Sequence, residues 1–161
     1  MVKSFKLLAA TALLATAAAS CSSDGCTDNG SSIPLAGFYS ASSKSSVTLS
    51  NVTVRGIEAP GDSILAKNES LSQIHLPLRV STVRASYEFT FNGGGTDVPA
   101  TIDTLVIHYS PKSTFVSKDC GAMYNFKIED WFHTCHAIDS ISIADVITNS
   151  NAVAIKIYMK D

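Results

Sequence analysis

The stretch Ser86-Tyr87-Glu88-Phe89-Thr90-Phe91 decides the fold. Its large apolar side chains fall on every second residue. Tyr87, Phe89 and Phe91 therefore share one side of an extended strand, and Ser86, Glu88 and Thr90 share the other. The same period recurs in both directions along the chain. Leu105, Ile107 and Tyr109 alternate with Thr104, Val106 and His108; Tyr124, Phe126 and Ile128 alternate with Asn125 and Lys127. Ile74, Leu76, Leu78 and Val80 form another row, and Val153, Ile155, Ile157 and Met159 form the last. Val47 and Leu49 share one phase and Val52 and Val54 the opposite one, which predicts a bulge, or two short strands, near Ser50-Asn51.

Turn-forming residues separate these runs: Ala59-Pro60-Gly61-Asp62, Asn92-Gly93-Gly94-Gly95, Ser110-Pro111-Lys112 and Asn149-Ser150-Asn151. Pro77 lacks a ladder donor, so its strand is expected to be an edge or to bulge there. No amphipathic helix is evident after residue 20. The pattern predicts an all-β domain of about eight strands in two packed antiparallel sheets, an immunoglobulin-like or related sandwich, with a closed barrel as the alternative.

The first residues read differently. Lys3 and Lys6 precede an apolar run from Leu7 to Ala19, and Ala18-Ala19-Ser20 then leads to Cys21. The run is short of the roughly 20 residues that span a bilayer and suits a signal segment. Small residues directly before a cysteine resemble the site where a lipoprotein signal is cut and diacylglycerol is attached. Ordinary secretion with cleavage nearby is the competing reading. Residues 22–32 are polar, as a tether requires. The division is therefore 1–20 signal peptide, 21–32 tether anchored through Cys21, and 33–161 β-sandwich. Ser22, rather than Asp, follows the anchor and favours an outer-membrane address.

Composition narrows the partners. A chain that is 45% apolar and 16% charged supports a packed core. A formal net charge of -2 offers no basic footprint for nucleic acid. If Cys21 is acylated, Cys26, Cys120 and Cys135 remain, and an oxidising compartment favours pairing of two of them. Three thiols allow any of three pairs.

Several blocks are similar to a Bacteroidota family of small lipoproteins of unknown function. They are Cys26-Thr27, Asn51-Val52-Thr53-Val54 with Gly56, Asp62-Ser63-Ile64-Leu65, and Ile74-His75-Leu76-Pro77-Leu78. Asp103-Thr104-Leu105 with Tyr109, Phe115-Val116-Ser117-Lys118-Asp119-Cys120-Gly121 and Ile155-Lys156-Ile157-Tyr158 complete the series. The resemblance implies a Cys26–Cys120 disulfide, which leaves Cys135 as a free thiol, expected to be buried. Closing a loop of about a hundred residues stabilises by roughly 4 to 5 kcal/mol in the chain-entropy model. The resemblance also implies a cell-envelope setting, with an outer-membrane barrel or another envelope protein as partner. It implies no activity.

Candidate chemistry is sparse. Gly61-Asp62-Ser63 resembles the nucleophile block of an esterase family, and Asp130-Trp131-Phe132-His133 has that family's Asp-x-x-His spacing. An esterase needs His133 within hydrogen-bond reach of Ser63. That family uses alternating strands and helices, whereas this pattern is all-β, so a turn at Gly61-Asp62 is the expected role. His133-Thr134-Cys135-His136 invites a metal, but on a strand the two histidines diverge. Asp24 to Gly30 lacks the closing Glu of a calcium loop and reads as tether. Trp131 either fills the core or acts as a surface anchor for a glycan or a partner. The expectation is a lipid-anchored, non-catalytic accessory or scaffolding domain at the outer membrane. It is expected to hold no cofactor or metal. A glycan- or peptide-binding module is the alternative, and an envelope esterase using Ser63 comes last.

Overall fold

The computed structural model describes residues 32–59, 61, 63–92, 99–118 and 121–161. Among them are ten strands and no helix: β1 Leu35–Ser40, β2 Leu49–Ile57, β3 Ile64–Leu71, β4 Gln73–His75, β5 Arg84–Phe91, β6 Thr101–Ser117, β7 Gly121–His133, β8 Ile138–Ile143, β9 Val146–Ile147 and β10 Val153–Met159. They form a four-stranded sheet, β4-β1-β10-β8, and a six-stranded sheet, β3-β2-β5-β6-β7-β9.

The rows of alternate apolar residues face each other between the sheets. Tyr87 and Phe89 of β5, Leu105, Ile107 and Tyr109 of β6, and Ile155 and Ile157 of β10 are all buried. Phe38 of β1 meets Phe89 edge to face, with ring centroids 6.3 Å apart, and this pair joins the two sheets. Each such side chain contributes roughly 1.5–3 kcal/mol on full burial. The phase change near Ser50-Asn51 is a bulge. Asn51 has φ 56°, and the β2–β3 register shifts between Leu49 and Val52. Asn tolerates that left-handed conformation better than most residues.

The two sheets, antiparallel apart from one pair, are the all-β sandwich that the alternation predicts. The exception is β1 and β10, from opposite ends of the sandwich sequence, which pair in parallel. There are ten strands rather than about eight, the additional ones being short or interrupted in phase. The row from Ile74 to Val80 is a strand only as far as His75. Pro77 cannot donate to a ladder, and the chain there leaves the edge of one sheet for the other. Pro111 does not break the chain but lies inside β6, opposite Phe126 of β7. The β5 ladder ends at His108, so one flank of β6 is unpaired at Pro111, where a strand tolerates proline.

Candidate functional site

Three places were built from these elements. The first is a corner where the chain passes from β7 in one sheet to β8 in the other. Asp103 lies in the same row of β6 as Leu105 and Ile107, and it is 0% exposed. One carboxylate oxygen accepts from the Thr134 hydroxyl at 2.7 Å and the His136 amide at 2.8 Å; the other accepts from the amides of Ala137 at 2.7 Å and Ile138 at 2.9 Å. Burial pulls the Asp103 pKa upward. The hydrogen bonds from His136, Thr134, Ile138 and Ala137 together outweigh it and hold the carboxyl below its ordinary value. His136 Nδ1 lies 2.9 Å from the Ile102 carbonyl and 3.1 Å from Asp103, two acceptors that select the Nδ1-protonated tautomer. Lys160 closes the corner by donating to the Cys135 carbonyl at 2.6 Å.

The corner also places the other residues of the His133-Thr134-Cys135-His136 motif. Cys135 is free and exposed, which corrects the buried thiol, because the connection between the sheets runs over their outer end. Its Sγ lies 3.6 Å from His133 Nδ1, while His136 is turned towards Asp103. No three metal-binding side chains converge among the described residues.

Trp131 and Phe132 are 37% and 63% exposed, so the core-filling alternative for Trp131 does not hold. Glu129 is extra in the β6–β7 register, and this bulge shifts Trp131 opposite Ile107 and Phe132 opposite Val106. β9 covers β7 only at Phe126 and Lys127, which leaves the flank at Trp131 open.

The second place is the β6–β7 hairpin beyond the sandwich. From Ser110 to Ser117, β6 pairs with β7 alone. β9 still flanks β7 opposite Ser110 and Pro111, so the two-stranded arm runs from Lys112 to Ser117 on its β6 side, and Phe115 and Tyr124 on it are 69% and 42% exposed. At its base Ser32 is buried and donates to Asn125 at 3.3 Å, so the chain enters the domain beside the arm.

The third place is a cavity of about 180 Å³ at the opposite edge of the six-stranded sheet, lined by Gly56, Ala59, Ser63, Leu65, Pro77, Arg79 and Tyr87. Two buried tyrosines of the six-stranded sheet hold its roof. Tyr87 donates to the Pro77 carbonyl at 2.5 Å, and Tyr109 donates to the Arg79 carbonyl at 3.0 Å while accepting from its amide at 3.1 Å. Burial drives the Tyr87 pKa well above the usual phenol value. Sequence reasoning missed this cavity, although Gly56, Ser63, Leu65 and Pro77 all lie in blocks that it had singled out.

Ser63 and His133 are not brought together. Ser63 O accepts from Gly56 N, Gly56 lies opposite Tyr87, Tyr87 opposite Leu105, and Leu105 opposite His133. Four strand spacings put the two roughly 19 Å apart. Gly61 has φ +75° and stands in a turn, and β3 begins at Ile64; Asp62 lies outside the described residues. Asp130 accepts from the Trp131 amide at 2.8 Å. Cys21, Cys26 and Cys120, and with them the lipidation and disulfide readings, lie outside the described residues, as do residues 1–31 generally.

A profile described as a family of unknown function, DUF6452, matches residues 51–159, from within β2 to the end of β10. The chain belongs to this family. No curated protein and no solved structure matches it.

Proposed function

We propose, with membership of that family as the premise, that this is a lipid-anchored cell-envelope domain without catalytic turnover. It acts as an accessory or scaffolding subunit at the outer membrane. The observation that carries this reading is the β6–β7 arm. An isolated two-stranded hairpin is marginal in water, and exposed aromatic residues on one gain most from a covering partner. Phe115 and Tyr124 are such residues. The arm is about six residues long on its β6 side, Lys112 to Ser117, which corresponds to roughly 20 Å.

The N-terminal reading fits the same end of the molecule. Ser32 meets Asn125 at the base of the arm, and Cys21 is eleven residues upstream. An extended chain of that length reaches at most roughly 40 Å. In this reading the tether starts beside the base of the arm, so the anchor and the arm share one side of the domain. Cys26 is six residues before Ser32 and Cys120 is five before Asn125. Comparable reach from a shared starting point supports the Cys26–Cys120 pairing over pairs that involve Cys135 at the far corner.

Photocrosslinking in outer membranes tests the reading. A photoreactive residue at Phe115 yields an adduct with a membrane protein, and the same residue at Lys67 on β3 yields none. Equal yields from both, or none from Phe115, would contradict it. Mass analysis of the mature N-terminus checks the anchor separately: an unacylated terminus removes the lipid tether but not the arm's role.

A second reading rests on the exposure of Trp131 and Phe132. The two side chains point to opposite faces of β7, and a glycan stacks on Trp131 at the open flank of the strand. Trp131 is the only tryptophan, so quenching of fluorescence by added polysaccharide reports on that surface alone. Unchanged emission at saturating polysaccharide excludes it.

A further inference from the structure

The cavity beneath the tyrosine-held roof has a composition that selects its occupant. Its described walls are mostly apolar, Gly56, Ala59, Leu65, Pro77 and the ring of Tyr87, with Ser63 as the one hydroxyl-bearing residue besides Tyr87. The Tyr87 hydroxyl is already committed to the Pro77 carbonyl. Among the described residues of the lining, Arg79 is the only charged one. Its guanidinium gives one N–H to the Glu58 carbonyl at 3.3 Å. The Glu58 carboxylate is engaged by Arg84 at 2.6 Å, and Arg79 has no ion pair among the described residues. An arginine presents five donors in a fixed fork, so most of its capacity is available to an anion.

Size sets the second condition. About 180 Å³ is close to the roughly 150 Å³ of a cavity that accepts benzene. A polyol would leave most of its hydroxyls against hydrocarbon, and burial without partners disfavours it. A compact apolar body with a single carboxylate satisfies both the walls and the guanidinium.

We propose that this cavity binds a monocarboxylate with a compact apolar body, seated against Leu65, Pro77 and Tyr87, with its carboxylate on Arg79. The site is separate from the arm, and its failure leaves the scaffolding reading untouched. Two sources carry this chemistry: a peptide C-terminus ending in an apolar residue, and a free organic acid.

Nitrogen-15 NMR titration of the full chain tests the proposal with benzoate, benzamide and N-acetylglycylleucine. Benzoate produces saturable shifts at the Gly56 and Ala59 amides, and uncharged benzamide does not. Arg79→Gln weakens benzoate binding by about tenfold or more, since it removes a charge-assisted hydrogen-bonding fork. The bonds from Tyr109 reach only the backbone of residue 79, so the roof survives this change. Gly56→Ala is the second variant. Its new Cβ would lie 3.3 Å from Ala59 Cβ and take space from the cavity, so binding weakens with Arg79 intact. Tighter binding of the peptide assigns the site to a C-terminus; tighter binding of benzoate assigns it to a free acid. Benzamide acting like benzoate, Arg79→Gln binding unchanged, or no saturable shift in the folded wild type overturns the proposal.

Discussion

The two halves of β6 carry the same alternation and meet opposite fates. As far as His108, β5 lies alongside every residue, and Asp103, Leu105 and Ile107 are fully buried. Past that point β7 is the sole partner, and Phe115, in the same phase, is 69% exposed. What differs is the neighbourhood. A strand's own sequence sets which side chains share a face, while flanking strands and the opposed sheet decide whether that face is covered. The first half has become a structural anchor, and the second an exposed arm.

The sharpest way to break this contrast is at Asp103. Asp103→Ala leaves the Thr134 hydroxyl and the amides of His136, Ala137 and Ile138 without their acceptor. A loss of about 3 kcal/mol or more is expected in urea unfolding, because four buried or part-buried donors lose their acceptor together. A loss below about 1 kcal/mol would mean that the corner is held by other groups. Acid sharpens the same point. The Asp103 carboxyl is held below its ordinary value in the folded state. Its contribution is therefore complete above the usual carboxylate range and is lost as pH falls from about 4 through the lower folded value. The urea midpoints of wild type and Asp103→Asn should converge as pH drops through that window. Glu129, held low mainly by Ser110, and Asp161, held low mainly by Ser40, titrate in both proteins and cancel.

Tyr109→Phe comes next. It removes the hydroxyl that bonds both the amide and the carbonyl of Arg79, and a cost of about 1–2 kcal/mol is expected. Proteolysis within residues 76–83 should rise in the variant; an unchanged cleavage pattern would show that Tyr87 alone holds the loop. The smallest effect belongs to the arm. Phe115→Ser should change stability by no more than about 0.5 kcal/mol, while abolishing the photocrosslink from a neighbouring arm position. A large loss of stability there would make Phe115 part of the core.

The central strands were legible because their periodicity is unbroken. Tyr87, Phe89, Leu105, Ile107, Ile155 and Ile157 all face the core as their spacing requires. β8 was not recognised: Ile138, Ile141 and Ile143 are all buried, but their spacing changes phase within the strand. β1 was missed as well, since Ala36-Gly37-Phe38 shows little alternation and draws its stability from a parallel neighbour far away in sequence. Asp103 carried a usable signal: it stands two residues before Leu105, in phase with a buried row. The exposure of Trp131 carried none, because it follows from a bulge at Glu129 and from how little of β7 is covered by β9. The cavity assembles residues from β2, β3, β5 and the β4–β5 loop, and no local pattern announces such a meeting.

Residue-resolved hydrogen exchange along β6 tests the contrast most directly. The amides of Leu105 and Ile107 should exchange only with global unfolding, and those of Thr114 and Phe115 at least about a hundredfold faster through local opening of the arm. Uniform protection from residue 101 to residue 117 in the isolated chain would contradict the account, because the arm would then be as firmly held as the sandwich it leaves.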